Sequence, residues 1–204
     1  MALFNKNRLE RIAHSNRRIC EALAQESVGP YEALGTYSVI NENEKYDIFL
    51  SHSSKDKEAV EGLASLLTDV YKLSVYVDWI NDPGLDRSNV TKDTAEILKL
   101  RMSNSACLFY VTSENAPKSK WMPWELGIME ALTGKVAICP LSNKDSAENA
   151  FNGQEYLGLY PYVDEISLPL YGKQLLIHNS SNKSILFELW LRKNKQQMYK
   201  SRVL

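Results

Sequence analysis

The sequence predicts an α/β fold in which helices flank a parallel β-sheet. From Tyr46 onward, short apolar runs alternate with amphipathic helical patterns, which is typical of repeated strand–helix units. Two of the runs, YDIFLS and ACLFYVT, are apolar enough to be buried on both faces, as strands of parallel sheets are. Hydrophobic residues make up 44% of the 204 residues, enough to support a packed core.

An amphipathic helix is predicted before these strands, over residues 3–26. Apolar residues recur there at helical spacing, with Arg and Glu between them: Leu9, Ile12, Ala13, Ile19, Cys20 and Leu23. Gly29 and Pro30 end the helix, and residues 1–44 form an N-terminal extension with its linker. Its basic side could touch a membrane or nucleic acid, but acidic residues are interleaved. We therefore expect it to pack against the following domain or a second subunit.

The α/β domain is predicted over residues 45–192. YDIFLS (46–51) reads as a buried first strand, and the spacing of apolar residues predicts a helix over 56–71. LSVYVDW (73–79) is rich in β-branched and aromatic residues, which favours a second strand. The loop INDPGLDRSN leads into a helix that carries Val90 to Met102, and ACLFYVT (106–112) follows as a central third strand.

The second half of the domain is predicted to close the sheet. Residues 119–133 form a helix, KVAICPL (135–141) a fourth strand and VDEISL (163–168) a fifth. The Tyr-rich run YLGLYPYV has no predicted place. A closing helix over 182–199 is expected from the spacing of four apolar residues, Ile185, Leu186, Leu189 and Trp190. Residues 193–204 form a basic C-terminal end.

Composition excludes several classes of protein. A formal charge of −1 predicts no general attraction to nucleic acid or to acidic membranes. The N-terminus has no signal-peptide pattern, and no apolar run is long enough to span a membrane. Three cysteines without C-x-x-C spacing fit a reducing compartment, and Cys107 and Cys139 lie in apolar runs as core residues. We expect a cytoplasmic protein.

Polar residues follow three of the predicted strands. In open parallel sheets, ligands bind beyond the carboxyl ends of the strands. Ser51-His52-Ser53 ends the first strand, Asp78-Trp79 ends the second, and the chain after Thr112 leaves the third. His52 alone is more often structural, and Ser53, Ser54 and Asp56 have a ready alternative as helix caps.

Glu125 is the most informative single residue. At about 100° per residue, Trp121, Trp124 and Met129 fall within about 100° of it, so its carboxylate points along the apolar stripe of the helix. A buried carboxylate is costly unless it is paired or has a function. Pro123 and Ser119 place the helix start just before it, where the dipole favours negative charge. From this geometry alone, a structural role for Glu125, in which it stabilises the helix dipole or pairs with a lysine, is slightly favoured over catalysis. For Trp121 and Trp124, packing in the core is favoured.

Several enzyme signatures are missing from the sequence. There is no G-x-G-x-x-G, and GIMEALTGK does not have the spacing of a phosphate-binding P-loop. No His/Cys/Asp cluster has metal-ligand spacing, and there is no G-x-S-x-G. No metal site and no serine-hydrolase triad are therefore expected.

Three motifs in order resemble the TIR (Toll/interleukin-1 receptor) domain of bacterial proteins. YDIFLSHSSKD is similar to the family's first box, VDWINDPGL to the loop after the second strand, and SKWMPWELG to its Ser-x-Trp-x-x-x-Glu segment. The resemblance covers residues 46–192. It implies a flavodoxin-like, five-stranded parallel sheet. The segment ENAPKSKW departs from the family pattern because it lacks an aromatic residue before Ser-x-Trp.

The resemblance also implies a reaction. Many bacterial members cleave the nicotinamide–ribose bond of NAD⁺, which is their substrate rather than a cofactor, and form ADP-ribose or a cyclic ADP-ribose signal. Glu125 matches the catalytic glutamate and Trp121 an aromatic on the nicotinamide side. Five further residues match positions that line the nucleotide cleft: Ser51, His52, Ser53, Asp78 and Trp79. The extension resembles that of stand-alone antiphage-defence proteins of the Thoeris kind, which implies a separate effector that responds to the product.

Two other functions are left open. Many TIR domains are adaptors that self-associate, in which case the Pro83-Gly84 loop would be a contact surface and Glu125 structural. A nucleoside deoxyribosyltransferase of similar topology would use the same sugar chemistry on a different base.

Overall fold

One β-sheet organises the part of the chain that the computed structural model describes, namely residues 4–26, 43–85, 91–142, 155–180 and 183–198. Its eight strands are β1 (Phe4–Asn5), β2 (Tyr46–Ser51), β3 (Val75–Tyr76), β4 (Ser105–Thr112), β5 (Val136–Ser142), β6 (Tyr162–Leu168), β7 (Gly172–Ser180) and β8 (Lys183–Leu186). The helices are α1 (Lys6–Glu26), α2 (Lys57–Asp69), α3 (Asp78–Asn81), α4 (Lys92–Ser103), α5 (Trp121–Leu132) and α6 (Phe187–Leu191). None of these helices is long and apolar enough to cross a membrane.

The predicted five-stranded parallel sheet is confirmed as one part of a larger sheet. The strand order is β3-β2-β4-β5-β6-β7-β8, and the first five of these strands run parallel. Strands β7 and β8 extend it as antiparallel neighbours, and β1 pairs in parallel with the carboxyl end of β5. The carboxyl ends of β2 and β4 therefore lie side by side, with Ser51 in register with Tyr110.

Alternate residues of the parallel strands pack into two hydrophobic cores, one on each face of the sheet. On β4, Cys107, Phe109 and Val111 pack with residues of α1, α2 and α6, while Leu108 and Tyr110 pack with α4 and α5. Each large apolar side chain buried this way contributes about 1.5–3 kcal/mol. The expected burial of Cys107 and Cys139 is confirmed, and burial raises the pKa of both thiols.

The N-terminal extension shares the first of these cores. Leu9 and Ala13 are buried where α1 packs against α2. A Cβ atom at Gly62 would lie 1.9 Å from the carbonyl oxygen of Leu9, so only glycine lets the two helices approach this closely. Of the two contacts expected for this helix, the structure shows the one with the domain.

Two predicted elements are wrong. The second strand was expected over 73–79, but only Val75–Tyr76 is a strand. The side chain of Asn81 accepts a hydrogen bond from the Val77 amide at 2.7 Å, and the Val77 carbonyl accepts the Ile80 and Asn81 amides, so a helical turn begins there.

The closing helix over 182–199 is the second error. Ile185 and Leu186 lie on β8, in register with Ile177 and Leu176 of β7, a strand that the sequence analysis missed. Helix α6 holds only Phe187–Leu191, and a separate helical turn covers 195–198. The unplaced Tyr-rich run divides into a 3₁₀ helix, Glu155–Leu159, and the start of β6. Gly29, Pro30, Val90 and residues 199–204 lie outside the described residues.

Candidate functional site

The carboxyl end of β2 delivers three buried polar residues. Ser51 is the last residue of the strand, and His52 and Ser53 follow it directly. Parallel pairing sets β2 between β3 and β4, so residues that follow these three strands meet at one edge of the sheet. The sequence predicted polar residues after these strands, and the structure shows that their side chains gather at this edge.

Glu125 lies on α5 with its side chain directed at that edge. It is 0% exposed, and the Ser51 hydroxyl donates to its Oε2 at 2.5 Å. The Ser119 hydroxyl accepts the Met122 amide at 3.3 Å at the helix start, and Pro123 stands in the first turn. Glu125 is thus one turn into the helix, where the dipole favours a carboxylate. The helical spacing predicted this buried side, while the role of the residue stays a prediction.

Two tryptophans lie beside Glu125 on the same helix. Trp121 is 9% exposed, and its ring meets that of Trp124 edge to face, with 5.3 Å between centroids. Both pack into the core between the sheet and α5. The expected packing role of both tryptophans is therefore confirmed, while a role of Trp121 at the nicotinamide stays a prediction.

A second group forms where β2 and β3 end. His52 Nδ1 lies 2.9 Å from the Leu50 carbonyl oxygen, and the Trp79 indole donates to His52 Nε2 at 3.2 Å. An indole N–H can only donate, so Nε2 accepts and Nδ1 carries the proton of a neutral imidazole. Asp78 Oδ1 lies 3.5 Å from the same Nε2. The Lys57 ammonium lies 5.5 Å from the centre of the Trp79 ring.

The predicted site residues therefore fall into two adjacent groups. Ser51 and Glu125, with Trp121 one turn earlier, lie on the α5 side of the sheet. His52, Asp78 and Trp79 lie over the ends of β2 and β3. Ser53 stands apart, because its hydroxyl accepts the Lys55 amide at 3.4 Å and caps the turn Ser54–Asp56.

Tyr110 is a member of the first group that the sequence analysis missed. It is buried on β4, in register with Ser51. Burial raises the pKa of Tyr110 to about 12, and the neighbouring Tyr156 and the charge of Glu125 add to the rise. The Tyr-rich run that had no predicted place thus borders the site. The usable signal was its register, since Tyr110 sits two residues before the end of a central strand.

Glu125 is covered in this structure. A carboxylate with no exposed surface meets a substrate only after a neighbouring side chain moves. Within the described residues, no three metal-binding side chains come together. The arrangement offers one buried carboxylate held by a hydroxyl, an aromatic wall, and a neutral imidazole nearby.

The Pro83-Gly84 loop is exposed, but the residue just before it is held by buried hydrogen bonds. Asp82, just before it, is buried and accepts from Arg101 Nε at 2.8 Å, Arg101 Nη2 at 2.6 Å and the Tyr76 hydroxyl at 2.9 Å. Among the described residues, a Cβ atom at Gly84 would meet nothing within 4 Å. The loop tip is therefore exposed, while its base is fixed to α4.

Comparison with known proteins gives relatives by sequence. The chain is 45% identical over 159 residues to "Probable 3' cyclic ADP-D-ribose synthase ThsB'" of Bacillus cereus strain MSX-D12, which covers 78% of this chain and 81% of that protein. It is 33% identical over 108 residues to "Putative cyclic ADP-D-ribose synthase TIR2" of Cytobacillus dafuensis, covering 52% of this chain and 28% of that protein. No protein-family profile matches the chain.

A TIR domain is among the solved structures that are similar to the chain. It is the TIR domain of the Toll-related receptor TRR-2 from Hydra magnipapillata, at 18% identity and a TM-score of 0.43, over 58% of this chain and 82% of that one.

Proposed function

The chain belongs to the bacterial TIR family of ThsB′ and TIR2, and on that premise we propose that it is an NAD⁺-processing enzyme that makes a cyclic ADP-ribose signal in antiphage defence. The observation that supports this most is Glu125, a carboxylate with no exposed surface at the carboxyl ends of the parallel strands. Burying a carboxylate there is costly unless it is paired or has a function.

The chemistry needs one carboxylate. As the bond between nicotinamide and ribose breaks, positive charge builds on the ribose, as in glycoside cleavage. A fixed carboxylate stabilises that charge in a site from which water is excluded. Nicotinamide takes the bonding electrons and leaves as a neutral molecule, so no acid is needed. Attack on the ribose by water then gives ADP-ribose, and attack by a group of the same molecule gives a cyclic product.

The other site residues take supporting roles in this proposal. The Ser51 hydroxyl holds the Glu125 carboxylate in one orientation. Trp121 offers an aromatic face to the flat nicotinamide cation. His52, Asp78 and Trp79 lie at the neighbouring strand ends, where the rest of the nucleotide would bind, with Ser53 at the margin.

Substrate entry requires a change at the site. Because Glu125 has no exposed surface, NAD⁺ reaches it only when the side chains around it move. We propose that self-association through the Pro83-Gly84 loop accompanies this movement, since the loop is exposed and its base is fixed. A separate effector would then respond to the product.

The test is to incubate the protein with NAD⁺ and follow free nicotinamide, with the products identified by mass. We expect Glu125→Gln to lower nicotinamide release by about 100-fold or more, the usual loss when a charge-stabilising group is removed. Glu130→Gln, on the same helix and half-buried, is the matched control and should retain activity. Equal release by wild type and Glu125→Gln would defeat the proposal, as would no release by the wild type when assembled.

A second candidate is a non-catalytic adaptor, which the exposed Pro83-Gly84 loop favours. In that case Pro83→Ala would abolish binding of a second copy while NAD⁺ stays intact with the wild type. Nicotinamide release that depends on Glu125 would exclude it.

A further inference from the structure

One buried carboxylate joins three segments of the chain next to the candidate site. Asp56 is 2% exposed and accepts three side-chain hydrogen bonds. The Ser113 hydroxyl donates to its Oδ2 at 2.5 Å, and Oδ1 accepts from Asn115 Nδ2 at 2.9 Å and from Lys6 Nζ at 3.1 Å. The sequence offered Asp56 only as a helix cap, and the structure shows no capping hydrogen bond from its side chain.

Two of these segments carry the proposed catalytic groups. Asp56 ends the turn that follows Ser51-His52-Ser53, and its amide donates to the Ser53 carbonyl at 2.9 Å. Ser113 and Asn115 lie in the loop between β4 and α5, which leads directly to Trp121 and Glu125. The Asp56 contacts are therefore a second link between the two segments that the Ser51–Glu125 hydrogen bond also joins.

The third segment is the N-terminal extension. Phe4 and Asn5 pair with Leu141 and Ser142 at the carboxyl end of β5, so the extension enters the fold at the same edge of the sheet as the site. The Asn5 side chain caps α1 by accepting the Arg8 amide at 2.8 Å. Lys6, the first residue of α1, is thereby placed on Asp56 with its side chain 18% exposed.

We propose that Lys6, acting through Asp56, is a positioning residue for the reaction, so that the N-terminal extension is a working part of the catalytic site. The inference rests on the proposed function. Lys6 supplies the positive charge that a buried carboxylate needs. Without it, Asp56 keeps only two neutral donors, so the buried carboxylate is less stable in place and the loop before α5 that it binds is held less firmly.

A small shift there is costly for the reaction. Displacing a catalytic group by about 1 Å lowers the rate by up to about 100-fold. Lys6 lies with Asp56 rather than with the Ser51–Glu125 pair itself, so its loss should lower kcat and leave KM for NAD⁺ nearly unchanged.

Arg8 gives a matched control. It lies two residues later on α1 and binds Glu165 of β6 at 2.7 Å, so it also fixes the extension to the domain by an ion pair. Among the described residues, the other partners of Glu165 are the Tyr71 hydroxyl and Lys173, and neither belongs to the turn with Asp56 or to the loop before α5. Arg8→Met thus removes attachment of the extension without touching the link through Asp56.

The experiment measures kcat, KM for NAD⁺ and Tm of the full chain and its variants. We expect Lys6→Met to lower kcat about tenfold or more with KM changed less than about threefold, and Lys6→Arg to restore most of the rate. Arg8→Met should lower Tm as much as Lys6→Met and keep the wild-type kcat. Asn115→Ala, which removes a donor from the same carboxylate without altering the extension, should also lower kcat.

The outcomes separate the two proposals. A folded Lys6→Met chain with wild-type kcat overturns the positioning role, as does an equal loss of kcat in Arg8→Met. If Lys6→Met does not fold, an unchanged kcat in Asn115→Ala overturns it instead. In each of these results the wild type turns over NAD⁺, so the proposed function stands. A wild type without turnover overturns the proposed function and this inference with it.

Discussion

Ser51 and Glu125 form the contact on which the proposed chemistry depends. A carboxylate without exposed surface is tolerated when donors satisfy it, and the Ser51 hydroxyl at 2.5 Å is one of them. Serine suits this position because it is small enough for the end of a buried strand and still carries a donor. The contact holds one carboxylate oxygen towards the sheet and so fixes the direction of the other.

Replacing Ser51 by alanine tests the importance of that orientation. Hydrogen bonds to charged groups contribute about 1.5–3 kcal/mol, so we expect kcat for NAD⁺ to fall about tenfold or more. Ser103→Ala is the control, because the Ser103 hydroxyl donates a hydrogen bond to the Leu100 carbonyl at the exposed end of α4. Turnover by Ser51→Ala within about twofold of Ser103→Ala would show that the hydroxyl does not orient the carboxylate.

The loop element after β3 depends on a buried ion pair. Arg101 of α4 grips Asp82 with two hydrogen bonds, and the Tyr76 hydroxyl adds a third. The hydrogen bond to Asp82 raises the pKa of Arg101, although burial alone would lower it. The pair closes the short helix α3 and sets where the Pro83-Gly84 loop emerges.

Breaking the Arg101–Asp82 ion pair should strongly destabilise the folded chain. Arg101→Met leaves Asp82 buried without its cation, and such changes cost about 3–5 kcal/mol. We expect the free energy of unfolding, measured with urea, to fall by about that amount, and a double variant with Asp82→Asn to regain part of it. A loss below about 1 kcal/mol in the single variant would mean that the pair is not a structural clamp.

The elements that sequence could predict are those whose pattern is local. Spacing within α5 was enough to place Glu125 on the buried side, because helix geometry alone sets it. Its partner Ser51 lies 74 residues away, and the strand order joins the two. Asp56 looked like a cap because its donors are 50, 57 and 59 residues distant. Strand β8 was mistaken for a helix because its residues fit a helical period, and only pairing with β7 decides between the two.

At the scale of the whole molecule, Glu165 of β6 joins the N-terminal extension to the segment that follows α2. Arg8 and the Tyr71 hydroxyl donate to it at 2.7 Å each, and Lys173 lies 3.4 Å away. Burial would raise the pKa of Glu165, but the hydrogen bonds and charges of these partners lower it below its usual 4.5. The folded chain therefore releases this proton more readily than the unfolded chain does.

The consequence is a stabilisation that depends on pH. Because the folded pKa of Glu165 is lowered, its contribution is fully present above pH 4.5 and is lost as the pH falls through the folded value. We expect Glu165→Gln to lower Tm at pH 7, and the gap from the wild type to shrink on acidification to about pH 3. Thermal unfolding of both chains checks this, and a gap of constant size at the two pH values would contradict it.

In the molecule as a whole, the buried Glu125 carboxylate lies at an edge of the sheet where three parts of the chain meet. The extension, the turn after β2 and the loop before α5 converge on Asp56, and the last two also converge on Ser51 and Glu125. If Glu125 is the catalytic residue, as proposed, the side chains around it must move before a substrate reaches it.

The most direct measurement is the structure of the Glu125→Gln chain with intact NAD⁺ bound. We predict the side chain at position 125 within about 3.5 Å of the ribose that carries nicotinamide, the nicotinamide ring against Trp121, and the side chains around position 125 displaced. NAD⁺ bound elsewhere, with residue 125 still buried against Ser51, would contradict the assignment of this carboxylate to cleavage of the nicotinamide–ribose bond.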